Sequence, residues 1–420
     1  MSNTETITIE AILARDNMCS AFAAVKRNKG APGVDAKNIE QTGEHLRRHW
    51  ATIRNELLAG RYQPGAVRAV EIPKPQGGTR LLGIPNVQDR LIQQAMNQVL
   101  TAALDPSMSE HSYGFRPNRS THDAVDAARR YVREGKKWVV DIDLKQFFDQ
   151  VNHDRLMSML SRQIGDKRVL ALIGRYLRAP MRQDNGQQQK RRRGTPQGGP
   201  LSPLLANLYL DPLDRELERR GIAFVRYADD VALFTSSERA AKRLLDSVKG
   251  WLREQLDLDT NDEKSGTGLC GDSQLLGFCI HETGDVSIAG KALLRLKVRV
   301  RELWDARQSL TTRQLQTQWQ RFVDGWWNYF RYANWQRDLR KLSGWIRRHM
   351  RKYFWQRWHN RAGRRNALHK LGITGRRLNV AGCRHGAWAM STHVVVNQAL
   401  KTATLNRFGL TLPWVLAGRL

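Results

Sequence analysis

The chain has 420 residues, enough for two or three domains that can bury cores without disulfide or metal staples. Its 69 Lys and Arg against 40 Asp and Glu give a net charge of +29, too basic for an ordinary metabolic enzyme and suited to a polyanionic partner. A hydrophobic content of 41% with 13 Trp excludes a mainly disordered chain.

Along the chain, Val67 to Pro73 and Arg80 to Pro85 read as strands, separated by the turn signal Pro75-Gln76-Gly77-Gly78. Gln88 to Leu104 and His122 to Glu134 read as helices, and Trp138 to Leu144 as a strand. Helices follow at Asn152 to Gln163 and Lys167 to Ala179. The polar segment Met181 to Thr195 reads as a loop or β-ribbon, Ser202 to Arg220 as a helix, and Ala223 to Thr235 as a strand pair. The last two strands are joined too tightly for a crossover, so the body is expected to be α+β rather than a doubly wound parallel sheet.

After Gly290 the composition changes. Residues 291–420 hold 27 Lys and Arg against four acids (Glu302, Asp305, Asp324, Asp338), and ten of the 13 Trp. Leu296, Val300 and Leu303 form one helical stripe; Leu339, Leu342, Ile346, Met350 and Tyr353 form another. Asp324-Gly325-Trp326-Trp327 is expected to interrupt a further helical pattern between Gln314 and Tyr332. Arg340, Arg347, Arg348, Arg351 and Lys352 lie off the apolar stripe. A merely solvated face would mix in acids, so phosphate contact is the better explanation for this basic module. Its Trp and Tyr residues, among them Trp326, Trp327, Tyr353, Trp355 and Trp358, either fill the core or stack on unpaired bases, and core filling is expected for most.

The four cysteines, Cys19, Cys270, Cys279 and Cys383, show no CxxC spacing, which argues against a disulfide framework and a Cys-based zinc module. No run approaches the ~20 apolar residues of a membrane helix, so no membrane partner is expected. Met1 to Ala14 lacks the basic start and apolar run of a signal peptide. The expected address is a reducing, aqueous compartment that holds nucleic acid.

Two segments place acids in apolar surroundings. In Trp138-Val139-Val140-Asp141-Ile142-Asp143-Leu144, the strand period puts Asp141 and Asp143 on one face and Val140, Ile142 and Leu144 on the other. In Phe224 to Phe234, Asp229 and Asp230 sit at the tip of a hairpin with apolar arms. An Asp-Asp pair alone is more often a solvated turn. Tyr227-Ala228-Asp229-Asp230 between apolar strands, with Asp143 on a third, is far more specific. Oxygen ligands without Cys or His suit Mg²⁺ or Mn²⁺. Two such ions ~3.5–4 Å apart can activate a 3′ hydroxyl and stabilise leaving pyrophosphate.

At this point the chain resembles the group II intron-encoded reverse transcriptase–maturases, from about Asn28 to its end. The family's segments occur in order: Asn28-Lys29-Gly30-Ala31-Pro32-Gly33-Val34-Asp35, Ile72-Pro73-Lys74-Pro75 with Arg80 to Pro85, Ser112-Tyr113-Gly114-Phe115-Arg116-Pro117, Asp143 to Asp149, Gly194 to Pro203, Tyr227 to Asp230, and Leu276-Gly277-Phe278. The resemblance implies a right-hand polymerase fold: an N-terminal extension (1–60), fingers and palm (61–290), and an all-α thumb/maturase module (291–420).

It also implies roles. Asp143, Asp229 and Asp230 match the catalytic metal-binding set, with the Leu144 carbonyl as a further ligand for two Mg²⁺ (Mn²⁺ a substitute); Asp141 is the alternative first-strand acid. Lys74 and Arg80 match the grip on the incoming dNTP triphosphate, and Phe148 the bulky residue that rejects a 2′ hydroxyl. Gln197 matches a nucleotide contact, and Lys264 a proton donor to pyrophosphate. Template and primer contacts map to Asn28, Lys29, Gly30, Arg116, Tyr227, Gly277 and Phe278. The implied activity is RNA-directed DNA synthesis together with intron splicing and target-primed mobility. Its partners are an intron RNA, an RNA template with a DNA primer, and a DNA target. A free-standing relative recruited to repair or phage defence is the alternative. Cys383 and His385 stand apart from any paired metal motif, so no endonuclease is expected, and the compact chain resembles the bacterial class C branch.

Overall fold

Apolar residues recurring at every second position fix the strands, and those at every third or fourth fix the helices. A computed structural model describes residues 7–73, 78–183, 185–334 and 336–416, arranged as two compact units, Met1–Ser273 and Gln274–Leu420. In chain order the strands are β1 (Val67–Pro73), β2 (Thr79–Ile84), β3 (Trp138–Asp143), β4 (Met181–Arg182), β5 (Gln188–Gln189), β6 (Ala223–Tyr227), β7 (Asp230–Thr235), β8 (Gly266–Leu269), β9 (Phe278–Ile280) and β10 (Val286–Ile288).

Among its described residues the first unit contains two sheets. One has the order β2-β1-β4-β5, its β1–β2 hairpin running antiparallel from Arg68 opposite Ile84 to Pro73 opposite Thr79. The other, β6-β7-β3-β8, is antiparallel throughout. Antiparallel pairing allows tight hairpins and places the unit in the α+β class. The polar segment after Met181 is a short ribbon, β4 with β5.

The core of this unit joins the helices Val87–Leu104 and Ser202–Arg219 and the second sheet in one cluster of buried side chains. Leu91, Ile92, Met96 and Leu100 from the first helix join Leu205, Tyr209 and Leu213 from the other, with Ile142, Phe224 and Leu233 from the strands. Each such side chain contributes roughly 1.5–3 kcal/mol on burial. The helices Thr121–Arg133 and Glu238–Leu256 pack against strands of the same sheet.

Among its described residues the second unit is helical apart from the β9–β10 hairpin. Trp304, Trp319, Trp355 and Trp414 are each 0% exposed, and Trp327, Tyr353 and Phe330 are buried with them. Core filling is therefore the fate of most of these aromatics. The expected interruption at Asp324 to Trp327 does not occur: Thr312–Phe330 is one continuous helix. Gly325 in its interior costs about 1 kcal/mol of helix propensity, but the buried stripe Leu315, Trp319, Val323, Trp327 and Phe330 outweighs that. Among the described residues no helix is long and apolar enough to cross a membrane.

Candidate active site

Alternation along β3 buries Val140 and Ile142 and leaves Asp141 and Asp143 on the opposite face. The register then decides which acid reaches the tip. Asp143 lies opposite Asp230 of β7, whereas Asp141 lies opposite Ala232 and Gly266. Across the β6–β7 hairpin Tyr227 faces Asp230, so Ala228 and Asp229 form a two-residue turn. Ala228 takes φ +59° there. Asp143, Asp229 and Asp230 thus gather at one end of the sheet, while the Asp141 carboxylate accepts a 2.6 Å hydrogen bond from the Ser273 hydroxyl.

These carboxylates strain one another electrostatically. Burial raises the pKa of Asp229, and the charge of Asp143 raises it further, while Arg80 and Lys264 oppose the rise. Asp230 is pushed up to about 6, first by desolvation and then by Asp229, Asp143 and Asp141, although part of its side chain reaches solvent. Such a cluster is favourable only with a cation at hand. Lys264 pairs with the cluster directly, its Nζ 3.2 Å from Asp143 Oδ2.

The strand end is pinned from the other side. The Asp143 amide donates to Ser265 Oγ at 3.0 Å. Its carbonyl accepts the Asn261 amide at 2.8 Å, and the Lys145 amide donates to the Asp259 carbonyl at 2.9 Å. The Leu144 carbonyl falls between these two bonds and belongs to neither. The donor set of three carboxylates and one backbone carbonyl, all oxygen, fits Mg²⁺ or Mn²⁺ chemically. Among the described residues no three His, Cys, Asp or Glu side chains form a ready-made metal cage; the Asp143 carboxylate faces Lys264 instead.

Beneath the turn lies a buried ionic network. Arg226 and Asp214 are both fully buried and paired at 2.5 Å. The same guanidinium donates to Asn207 Oδ1 at 2.9 Å and to the Ala228 carbonyl at 3.0 Å. Asn207 in turn donates to the Gly114 carbonyl at 2.8 Å. Arg226, Asp214, Asn207, Ser265 and Ser273 carry no role in the sequence reading. One signal was available: an Arg within the apolar run Phe224-Val225-Arg226 requires a buried carboxylate partner.

Other expected residues fall around this centre. Lys74 lies outside the described residues. Arg80, exposed on β2, donates from Nε to Gln197 Oε1, and the Gln197 carbonyl accepts the Gly83 amide at 2.8 Å. Phe148 is half-buried, edge-on to Phe147, and its carbonyl accepts the Thr195 amide at 2.7 Å. Asn28 ends the helix Arg15–Asn28, and Lys29 caps it in the left-handed conformation at φ +48°. Gly30 and Ala31 are clipped by Arg90, which donates to the Ala31 carbonyl at 2.7 Å. A Cβ on Gly30 would lie 2.3 Å from the end of the Arg90 side chain, which would have to shift to admit it.

Two expected contacts change role. Arg116 is buried, and its guanidinium is committed inward to the Asp105 carboxylate and to the carbonyls of Asp105, Ser109 and Ser112. It anchors a loop and cannot present itself to a phosphate. Phe278 is 0% exposed, stacked on Tyr329 and tilted against Phe330. It is a core residue of the second unit, and Gly277, at φ +86° against the Phe330 ring, sits beside it. Among the basic helix residues Arg340 is exposed. Arg348 lies 3.8 Å over the Trp388 ring and bonds Ser391, and Arg351 donates to the Leu400 carbonyl, while Arg347 and Lys352 are half-buried.

An antiparallel sheet that ends in clustered acids, faced by a basic hairpin, is the palm of a template-directed polymerase. The chain belongs to the reverse transcriptase (RNA-dependent DNA polymerase) family, whose model matches residues 72–287. The group II intron maturase-specific domain matches residues 293–372. Protein YkfC of Escherichia coli (strain K12) is 32% identical over 278 residues, covering 57% of this chain and 73% of that protein. The putative COX1/OXI3 intron 1 protein of Saccharomyces cerevisiae is 34% identical, covering 48% of this chain and 24% of its own length. The group II intron-encoded protein LtrA of Lactococcus lactis subsp. cremoris is 40% identical, covering 39% of this chain and 27% of its own. The chain therefore spans most of the length of YkfC but about a quarter of each of the two intron proteins.

Proposed function

We propose that this chain is an RNA-directed DNA polymerase that binds a group II intron RNA, assists its splicing and copies it by target-primed synthesis in the bacterial cytoplasm. The observation that carries the reading is the pairing of Asp143 with Asp230 at the sheet tip, beside Asp229 and under Lys264.

In this reading Asp143, Asp229, Asp230 and the Leu144 carbonyl would hold two Mg²⁺ ions, with Mn²⁺ as a substitute. Bound there, the ions would acidify the attacking 3′ hydroxyl and neutralise charge developing on the transferred phosphate. The protein's own groups supply the rest. Arg80, with Lys74, binds the triphosphate of an incoming dNTP, the guanidinium forking across two phosphate oxygens. Gln197 orients both Arg80 and the nucleotide. Phe148, held by Phe147 and the Thr195 amide, fills the space that a 2′ hydroxyl would need. Lys264 holds a proton on Nζ beside Asp143, ready for the departing pyrophosphate.

The second unit, with its excess of Lys and Arg, binds RNA mainly through phosphates. The template strand, a DNA primer and a DNA target complete the set of partners. The test is primer extension on an RNA template with dNTP or NTP, in Mg²⁺ or EDTA. Extension that needs dNTP and Mg²⁺ supports the reading; no extension under any condition contradicts it.

A further inference from the structure

Phe115 has two properties that work against a stable fold. Its φ is +59°, a left-handed conformation that glycine and asparagine take readily and a bulky side chain does not. Its side chain is also 56% exposed. Asn118, three residues on, takes the same conformation at φ +57° with a residue suited to it.

The neighbours of Phe115 explain how the conformation is held. On one side, a Cβ added to Gly114 would lie 2.4 Å from the Ala228 amide nitrogen and 2.9 Å from the Tyr227 carbonyl carbon. The chain is therefore pressed against the turn that carries Asp229. The Gly114 carbonyl is fixed by Asn207, which also holds Arg226. On the other side, Arg116 is anchored inward through Asp105, Ser109 and Ser112. Both flanking residues are pinned, and the ring between them is held out toward solvent, one residue from the acidic tip.

Neither exposure nor left-handed backbone benefits packing. Strain of this kind, maintained by its surroundings beside a reacting centre, points to function. An aromatic face next to phosphodiester chemistry matches a nucleobase or sugar, which stacks on aromatic rings without regard to sequence. Resting on the polymerase reading above, we propose that Phe115 is a binding residue that packs against a nucleotide of the primer–template duplex beside the reacting 3′ end.

Three variants of the full chain separate this role from a structural one. Phe115→Gly removes both ring and strain, so its Tm should rise while its Kd for an RNA–DNA duplex weakens about 5-fold or more. Phe115→Tyr should restore wild-type binding, and Phe115→Leu should not. The KM for dNTP should stay within about twofold, because the triphosphate is gripped elsewhere. Ultraviolet cross-linking with 5-iodouracil near the primer 3′ end, or opposite it in the template, assigns the strand that Phe115 touches.

Wild-type duplex affinity in Phe115→Gly, a lowered Tm in that variant, or cross-linking in neither arm would overturn the proposal. Binding and cross-linking are read without turnover. A wild-type chain that binds the duplex and never extends the primer would therefore count against the polymerase reading, not against this contact.

Discussion

Arg226 and Asp214 share a fully buried ion pair, and the free edge of the Arg226 guanidinium donates to the carbonyl of Ala228 at 3.0 Å. The pair therefore ties the helix Ser202–Arg219 to the turn that presents Asp229 and Asp230. The carboxylates of Asp229 in the turn and Asp230 just after it repel each other electrostatically, and a rigid donor underneath holds the turn's backbone in one geometry. Removing one member leaves a buried charge without a partner, typically a loss of 3–5 kcal/mol. Asp214→Ala should lower unfolding free energy in urea by about that amount. A loss below about 1 kcal/mol would mean that the pair does not anchor the turn.

Phe148 is held edge-on by Phe147 and through its carbonyl by Thr195, so the position of its ring is fixed. Phe148→Ala opens the space for a 2′ hydroxyl. The ratio of NTP to dNTP incorporation on an RNA template should rise at least about tenfold, with extension from dNTP retained. An unchanged ratio would assign Phe148 to core packing alone.

Asp89 gives the first unit a pH dependence. Its carboxylate is buried, accepting from the Tyr62 hydroxyl at 2.8 Å and the Gly65 amide at 3.1 Å, and burial raises its pKa from 3.8 to about 6. The folded state therefore holds this proton more tightly than the unfolded chain does. Stability from this group is fully present below pH about 4 and is lost as pH rises through about 6. For a shift of this size the change is roughly 3 kcal/mol. Asp89→Asn should flatten the stability profile between pH 4 and 6 relative to wild type, measured by denaturant midpoint. An identical slope in both proteins would place the proton elsewhere.

On the proposed reading, RNA binding through the basic second unit is salt-dependent. Neutralising six to ten phosphates weakens affinity by roughly 10³–10⁵ between 50 and 200 mM salt. A titration by fluorescence anisotropy should show a loss in that range. A Kd nearly flat in salt would remove the cationic helices from the RNA interface. Arg340, exposed on its helix, should contribute more to that slope than Arg348, whose guanidinium is already stacked on Trp388.

Much of the site was readable because it follows from local periodicity. Period two in β3 put Asp141 and Asp143 on one face, and the tight Tyr227 to Asp230 connection marked a hairpin tip. The choice between Asp141 and Asp143 is not local. It depends on β3 pairing with β7 in the register that sets Asp143 against Asp230. Arg116 and Phe278 resemble surface contacts in a motif, and only tertiary packing commits one to internal carbonyls and the other to an aromatic cluster. Gly325 suggested a break because propensity disfavours it, yet the buried Trp319, Val323 and Trp327 stripe keeps the helix whole. The Arg226–Asp214 pair stayed hidden because its two members lie on different elements that only the folded core brings together.

The most direct test of the central claim compares wild type with Asp229→Ala in single-turnover extension of a DNA primer on an RNA template, with RNA affinity measured in parallel. Loss of even an outer-shell partner costs a metal site 10–100-fold, so removing Asp229 should slow extension by about 100-fold or more while RNA affinity stays within about twofold. Extension by Asp229→Ala at the wild-type rate would show that the carboxylates at the sheet tip do not carry the chemistry.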